Sequence, residues 1–227
     1  MCATGLSLAY WDNYPPYKFK SNRLPYLNVK PLVMNNKDYK SKDGSVAVHL
    51  SEPKLFEVEF FLKVNNIILA SSDQKINGFP CAVFQADLDN NGLDDFIMVY
   101  NYRGSGLAAH QDRVELYLRK DKDSFERVSY DTFDAGLDDF IGPDKGGRCK
   151  VIITGFYQGD KHNYISYNIY EFKNYRLVNA DAKVKGFPKF IRYTNMPNDE
   201  DTVRLNVKER LLHSQEKGSS ISYKEIR

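Results

Sequence analysis

The stretch AVFQADLDNNGLDDFIMVY, residues 82–100, decides how the rest of the chain is read. A short strand-like segment, Ala82 to Ala86, runs into four aspartates within nine positions, Asp87, Asp89, Asp94 and Asp95. A continuous apolar run, Phe96 to Tyr100, follows. Both flanks are rich in β-branched and aromatic residues and lack a helical period, so they read as two strands joined by an acidic loop. Like charges gathered around a glycine repel, which makes such a loop either a turn of solvated aspartates or a cation site.

Counted from Asp87 as the first position, the loop places Asp87, Asp89, Asn91 and Asp95 at positions 1, 3, 5 and 9 and the backbone carbonyl of Leu93 at position 7. Alternate residues of a tight loop face inward, so these five surround one point with hard oxygen donors. Such a set suits Ca²⁺ and not zinc or copper. Gly92 permits the positive φ that a sharp turn between ligands requires. Asp94 is expected to face outward. An EF-hand needs a bidentate Glu at position 12 and flanking helices, where this chain has Met98 and strands, so that reading is rejected.

A repeat extends the pattern along the chain. Gly-Phe-Pro occurs at 78–80 and at 186–188, 108 positions apart, and a step of half that length, 54, carries Phe79 onto Phe133, Gly92 onto Gly146 and Ile97-Met98-Val99 onto Val151-Ile152-Ile153. VEFFLK (58–63) matches VELYLR (114–119), and the strand after each turn closes on an aspartate at Asp73, Asp131 and Asp181. The unit reads as four short strands. The sequence therefore predicts an all-β chain, a single repeat domain over 1–227 built as a β-propeller-like array of four-stranded blades, with units at 24–77, 78–131 and 132–185 and an incomplete one at 186–227. A ring would close through a strand from Leu6–Leu24 or through another chain. A β-sandwich with coincidental hairpins is the competing architecture, and only Val207–His213 is a weak helix candidate.

The pattern D-x-D-x-N-G-x-x-D followed by an apolar strand resembles the FG-GAP/VCBS repeat family, the calcium-loop blades of integrin α-subunit propellers and of many bacterial secreted proteins. The resemblance rests on Asp87, Asp89, Asn91, Gly92, Asp95, Phe96 and Ile97 and covers one unit. It implies a calcium-stabilised scaffold, secreted, periplasmic or at the cell surface, whose loops bind a protein or glycan ligand. The other units depart from the pattern. Ile141 and Pro143 stand at ligand positions in one, and Asn195, Pro197, Asp199 and Val203 line up in the other, so neither is expected to hold a metal. DTFDAGLDDF (131–140) looks similar, but Phe133 and Ala135 replace two ligands, and it reads as a turn entering a strand.

Composition narrows the function classes. With 42% apolar and 27% charged residues and a formal net charge of +2, the chain has a core and no basic field for nucleic acid. No apolar run approaches the ~18 residues of a transmembrane segment. The opening MCATGLSLAY has no basic n-region, which leaves a cytosolic protein or one whose signal was removed. Cys2 is compatible with a lipoprotein, although an incidental exposed cysteine is the plainer reading; Cys81 and Cys149 read as two buried free thiols. A Tyr-rich run, 156–172, fits an adhesive face or ordinary packing. The chain is not expected to be an enzyme. The alternatives are a propeller polysaccharide hydrolase or lyase with His110 and His162 on one rim, and a structural subunit that completes a homo- or hetero-oligomer.

Overall fold

The computed structural model describes residues 27–34, 37–51, 59–72, 79–101, 111–158, 162–193, 202–203 and 221–226. The strand expected in Leu6–Leu24, the helix expected at Val207–His213, Cys2, Asp73, His110 and the ligand positions Asn195, Pro197 and Asp199 lie outside the described residues. Among the described residues the chain is all-β, with three antiparallel sheets.

After β1 (Lys30–Met34), three four-stranded meanders follow one another in the chain. The first is β2 (Asp38–Lys40), β3 (Val46–Leu50), β4 (Phe60–Val64) and β5 (Ile67–Ser71). The second is β6 (Phe79–Ala86), β7 (Asp95–Asn101), β8 (Gln111–Arg119) and β9 (Phe125–Phe133). The third is β10 (Phe140–Ile141), β11 (Lys150–Gln158), β12 (Asn163–Lys173) and β13 (Arg176–Asn179). The step from Ile97–Val99 to Val151–Ile153 thus connects β7 with β11, the second strand of each meander.

The remaining strands extend existing sheets. β1 pairs with β6, and the described strands of 186–227 form no sheet of their own. β14 (Lys189–Arg192) and β15 (Thr202–Val203) join the third sheet, while β16 (Ser222–Ile226) pairs with β9 in the second. The physical reason lies in strand length and open edges. β12 is long enough to pair with β13 at Tyr170–Lys173 and with β14 at Tyr164–Tyr167 on the same side, so the returning chain completes that edge instead of starting a new sheet. No closed ring is formed among the described residues.

The second sheet is the middle of the stack and is buried on both faces. Phe96, Met98 and Tyr100 of β7, with Tyr117 and Phe125, pack on Val48, Leu62 and Leu69 of the first sheet. Ile97 and Val99, with Val114, Leu116 and Val128, pack on Val151, Ile153 and Phe172 of the third. This is why β7 reads as an unbroken apolar run and not as an alternating strand. Each such side chain contributes about 1.5–3 kcal/mol when fully buried. The far face of the third sheet carries its own cluster of Ile152, Ile165, Tyr167, Ile169 and Ile191. Tyr167 lies in this cluster and Tyr170 packs against the opposite one, so these two tyrosines of the 156–172 run serve the core and not an adhesive surface.

The aspartate that closes a repeat has a structural task in the third meander. β13 ends at Asn179, and Asp181 takes over where the ladder stops, its Oδ1 accepting the Ile169 amide at 2.7 Å and its Oδ2 accepting the Asn179 side-chain amide at 2.7 Å. Burial raises the Asp181 carboxyl above its ordinary value, against the pull of both donors. Replacing Asp181 with Ala strands the Ile169 N–H inside the sheet and should cost about 1.5–3 kcal/mol in urea unfolding, whereas Asn179→Ala should cost less than about 1 kcal/mol. Equal losses in the two variants would show that the cap on Ile169 is not what stabilises this edge.

Candidate metal centre

The acidic loop joins β6 to β7 and is anchored from below by Leu88, which is fully buried in the core between the second and third sheets. With Leu88 turned inward, the aspartates on either side of it are half-buried on the loop's polar side. Asn90 and Gly92 adopt positive φ, 59° and 83°, and together reverse the chain. The loop returns at Asp95, the first residue of β7, whose side chain is fully buried.

Two of the aspartates organise the backbone. Asp87 Oδ1 accepts the Asn91 amide at 3.0 Å and its Oδ2 the Gly92 amide at 2.9 Å. Asp95 Oδ2 accepts the Leu88 amide and its Oδ1 the Arg119 amide, both at 2.7 Å, which ties the loop to the end of β8. Asn91 adds a second tie, donating from Nδ2 to the Arg119 carbonyl at 2.9 Å while its Oδ1 accepts the Leu93 amide at 2.8 Å. Asp89 differs. Its Oδ1 is buried from solvent and has no hydrogen-bond partner.

One carboxylate oxygen from each of Asp87, Asp89 and Asp95 lies within 4.8 Å of the other two, and this is the one group of three or more His, Cys, Asp or Glu side chains with such spacing among the described residues. Two unit charges at that separation repel by about 3 kcal/mol at an effective dielectric constant of 20. Burial, with the Asp89 and Asp87 charges adding to it, pushes the Asp95 carboxyl up to about 8 despite its two backbone amides. Burial and the Asp87 charge also raise Asp89. Burial disfavours the charged form of both groups, and three convergent carboxylates can hold a metal ion.

Of the residues expected at the site, the structure brings Asp87, Asp89 and Asp95 together. Asn91 is placed at the loop tip with its amide engaged as described, Leu93 is half-buried, and Asp94 is exposed, as expected. The look-alike stretch 131–140 forms the end of β9, a 3-10 turn at Leu137–Asp139 and the start of β10, with Asp139 Oδ2 accepting the Gly136 amide at 3.0 Å. It is a turn entering a strand.

The matching loop of the third meander is held together differently. The 54-residue step takes Asp95 to Cys149 and Phe96 to Lys150. Here Asp144 accepts the Gly146 and Arg148 amides at 2.8 and 3.2 Å, and the buried Lys150 ammonium donates to Asp144 Oδ2 at 2.6 Å and to the Arg148 carbonyl at 3.2 Å. A side-chain cation thus closes this turn from within. Reading the two loops separately misses this exchange, because Lys150 lies one position beyond the last ligand position. Cys149 is buried and Cys81 only half-buried, which corrects the expectation that both thiols are buried. Burial, then the neighbouring Asp87 charge, pushes the Cys149 thiol up to about 11, so it is a poor nucleophile.

Lys150, then the amides of Arg148 and Gly146, hold the Asp144 carboxyl down at about 2. A depressed folded value contributes stability that is present above the unfolded value near 4 and lost as pH falls through about 2. Lys150→Met should therefore lower the melting temperature at pH 5 to 7, by the same amount with calcium or chelator, and the gap to the unsubstituted chain should narrow towards pH 2. A gap that depends on calcium would mean that the third loop shares the ion. No family model matches this chain, and no curated protein or solved structure does.

Proposed function

We propose that the 87–95 loop binds one Ca²⁺ and that the protein is a calcium-stabilised binding scaffold of the FG-GAP/VCBS type, in which the three stacked meanders act as successive blades. The observation that carries the metal reading is Asp89 Oδ1, a buried carboxylate oxygen without a partner that sits beside two further carboxylates. Both oxygens of Asp87 and Asp95 already shape the backbone, so Asp89 Oδ1 is the oxygen of the three side chains left for a cation to meet. An all-oxygen donor set favours Ca²⁺, and extracellular modules of this kind bind it with Kd on the order of 10⁻⁴ to 10⁻³ M. Such affinity is useful outside the cell, in keeping with a secreted, periplasmic or surface location. The loops at the ends of the meanders are then the natural place for a protein or glycan ligand.

A second reading, a subunit that completes a larger assembly, is favoured by the first sheet. On this terminal layer of the stack Phe61 and Ile68 are 39% and 55% exposed. Solution mass separates the two: a stable monomer supports the self-contained scaffold.

Thermal melts test the metal. Free Ca²⁺ at ~100 times Kd should add about 2.7 kcal/mol, lost on chelation. Asp89→Asn should abolish that gain while leaving the chelated protein about as stable as the unsubstituted chain, because it removes the repulsion with Asp87 and Asp95 and keeps an oxygen that can accept from the loop. Asp95→Ala should also abolish it but destabilise the chelated protein, since the Leu88 and Arg119 amides lose their acceptor, and Asp94→Ala should spare it. Equal midpoints with and without millimolar Ca²⁺ in the unsubstituted chain would reject the site.

A further inference from the structure

We propose that one water molecule is bound between the second sheet and the 135–140 connector, where it accepts from the Tyr130 hydroxyl and donates to the Asp139 carboxylate. The proposal is independent of the calcium reading. It starts from a run that occurs twice, Gly-Leu-Asp-Asp-Phe at 92–96 and at 136–140. In both copies the second aspartate is buried where a strand begins, Asp95 as the first residue of β7 and Asp139 directly before β10. Asp95 meets the amides of Leu88 and Arg119 there. Asp139 accepts the Gly136 amide through Oδ2 at 3.0 Å, and a tyrosine, Tyr130 of β9, stands close enough to feel its charge.

A cavity of about 20 Å³ is lined by both of them. Its apolar walls include Phe84, Val99, Val114 and Phe140, and its polar groups come from Tyr130 and Asp139. Tyr130 is 2% exposed, and among the described residues no group donates to or accepts from its hydroxyl. The hydroxyl oxygen is not sealed in by protein atoms either, so it opens on the cavity. Burial, then the Asp139 charge, holds this hydroxyl well above its ordinary value, and it remains a donor at neutral pH. A buried donor without an acceptor is costly. Cavities stay dry where every wall is apolar, whereas a space of at least about 10–15 Å³ with polar groups on it holds a water. This one has room for a single such molecule and not for an organic ligand. Each carboxylate oxygen has two lone pairs, so Asp139 holds the Gly136 amide and still accepts from the water. A bridge of this kind is nearly as good as a direct hydrogen bond. It ties β9 to the turn that opens the third meander, at the joint between two stacked sheets.

The test is a crystal structure of the full chain at a resolution that shows ordered water, from crystals grown without ammonium salts, with a second crystal held under xenon. A single water peak is expected within about 2.5–3.0 Å of both the Tyr130 hydroxyl oxygen and an Asp139 carboxylate oxygen. Xenon, which enters dry apolar cavities, should not appear there. In Tyr130→Phe the ring keeps its place while the donor is gone, and the occupancy of the peak should fall to about half or less. No peak, a peak that touches one of the two groups alone, or xenon in the unsubstituted chain would overturn the proposal, and these crystals decide it even where the variant does not fold. An undiminished peak in Tyr130→Phe would also overturn it, because the tyrosine would then not be what holds the water.

Discussion

The structure depends on the need to cover both faces of β7. Five consecutive large apolar residues, Phe96 to Tyr100, cannot face water on either side, so the second sheet is stable only with a sheet on each face. That requirement fixes the order of the stack: the meander before it in the chain covers one face and the meander after it covers the other. Short connections make this the least costly arrangement, since chain neighbours pack as spatial neighbours.

The acidic loop inherits its electrostatics from this core. Leu88 belongs to the inner cluster and pulls the loop down onto it, so Asp95 is fully buried and Asp89 partly so. A carboxylate in that position can be made tolerable by backbone amides, by a bound cation or by a lysine. Both meanders use amides, and the third, whose Asp144 is exposed, adds a lysine. In the second, amides serve Asp87 and Asp95 but leave Asp89 Oδ1 unmet; in the third, Lys150 reaches Asp144 from inside the sheet. The loops are neighbours, with the Asn90 side-chain amide beside Gly147 and the Cys149 thiol 4.0 Å from the Asp87 carbonyl.

Edges are settled differently from faces. β6 is closed by β1 and β9 by β16, both from outside their own meander, and β12 shares one side between β13 and β14. Backbone pairing is indifferent to sequence, so any returning segment of suitable length can fill an edge. The side chains then decide how firmly it is held, and at β16 the Lys120 ammonium bridges the facing Glu126 and Glu225.

The local parts of this architecture were legible in the sequence because they rest on short-range physics. The four-strand order of the second meander follows from period-two and continuous apolar segments, the turn from Gly92, and the gathering of Asp87, Asp89 and Asp95 from their spacing around that turn. Asp94, between two inward positions, had to face out. What the sequence left open involves residues far apart in the chain. The pairing of β16 with β9 and of β14 with β12 depends on which edges remain free after the faces are packed. The burial of Asp95 depends on the amide of Arg119, 24 residues away, and the neutralisation of Asp144 depends on a lysine that a strand pattern marks only as a polar residue in an apolar run. Such contacts exist only once the sheets are stacked, since until then water solvates every one of these groups equally well.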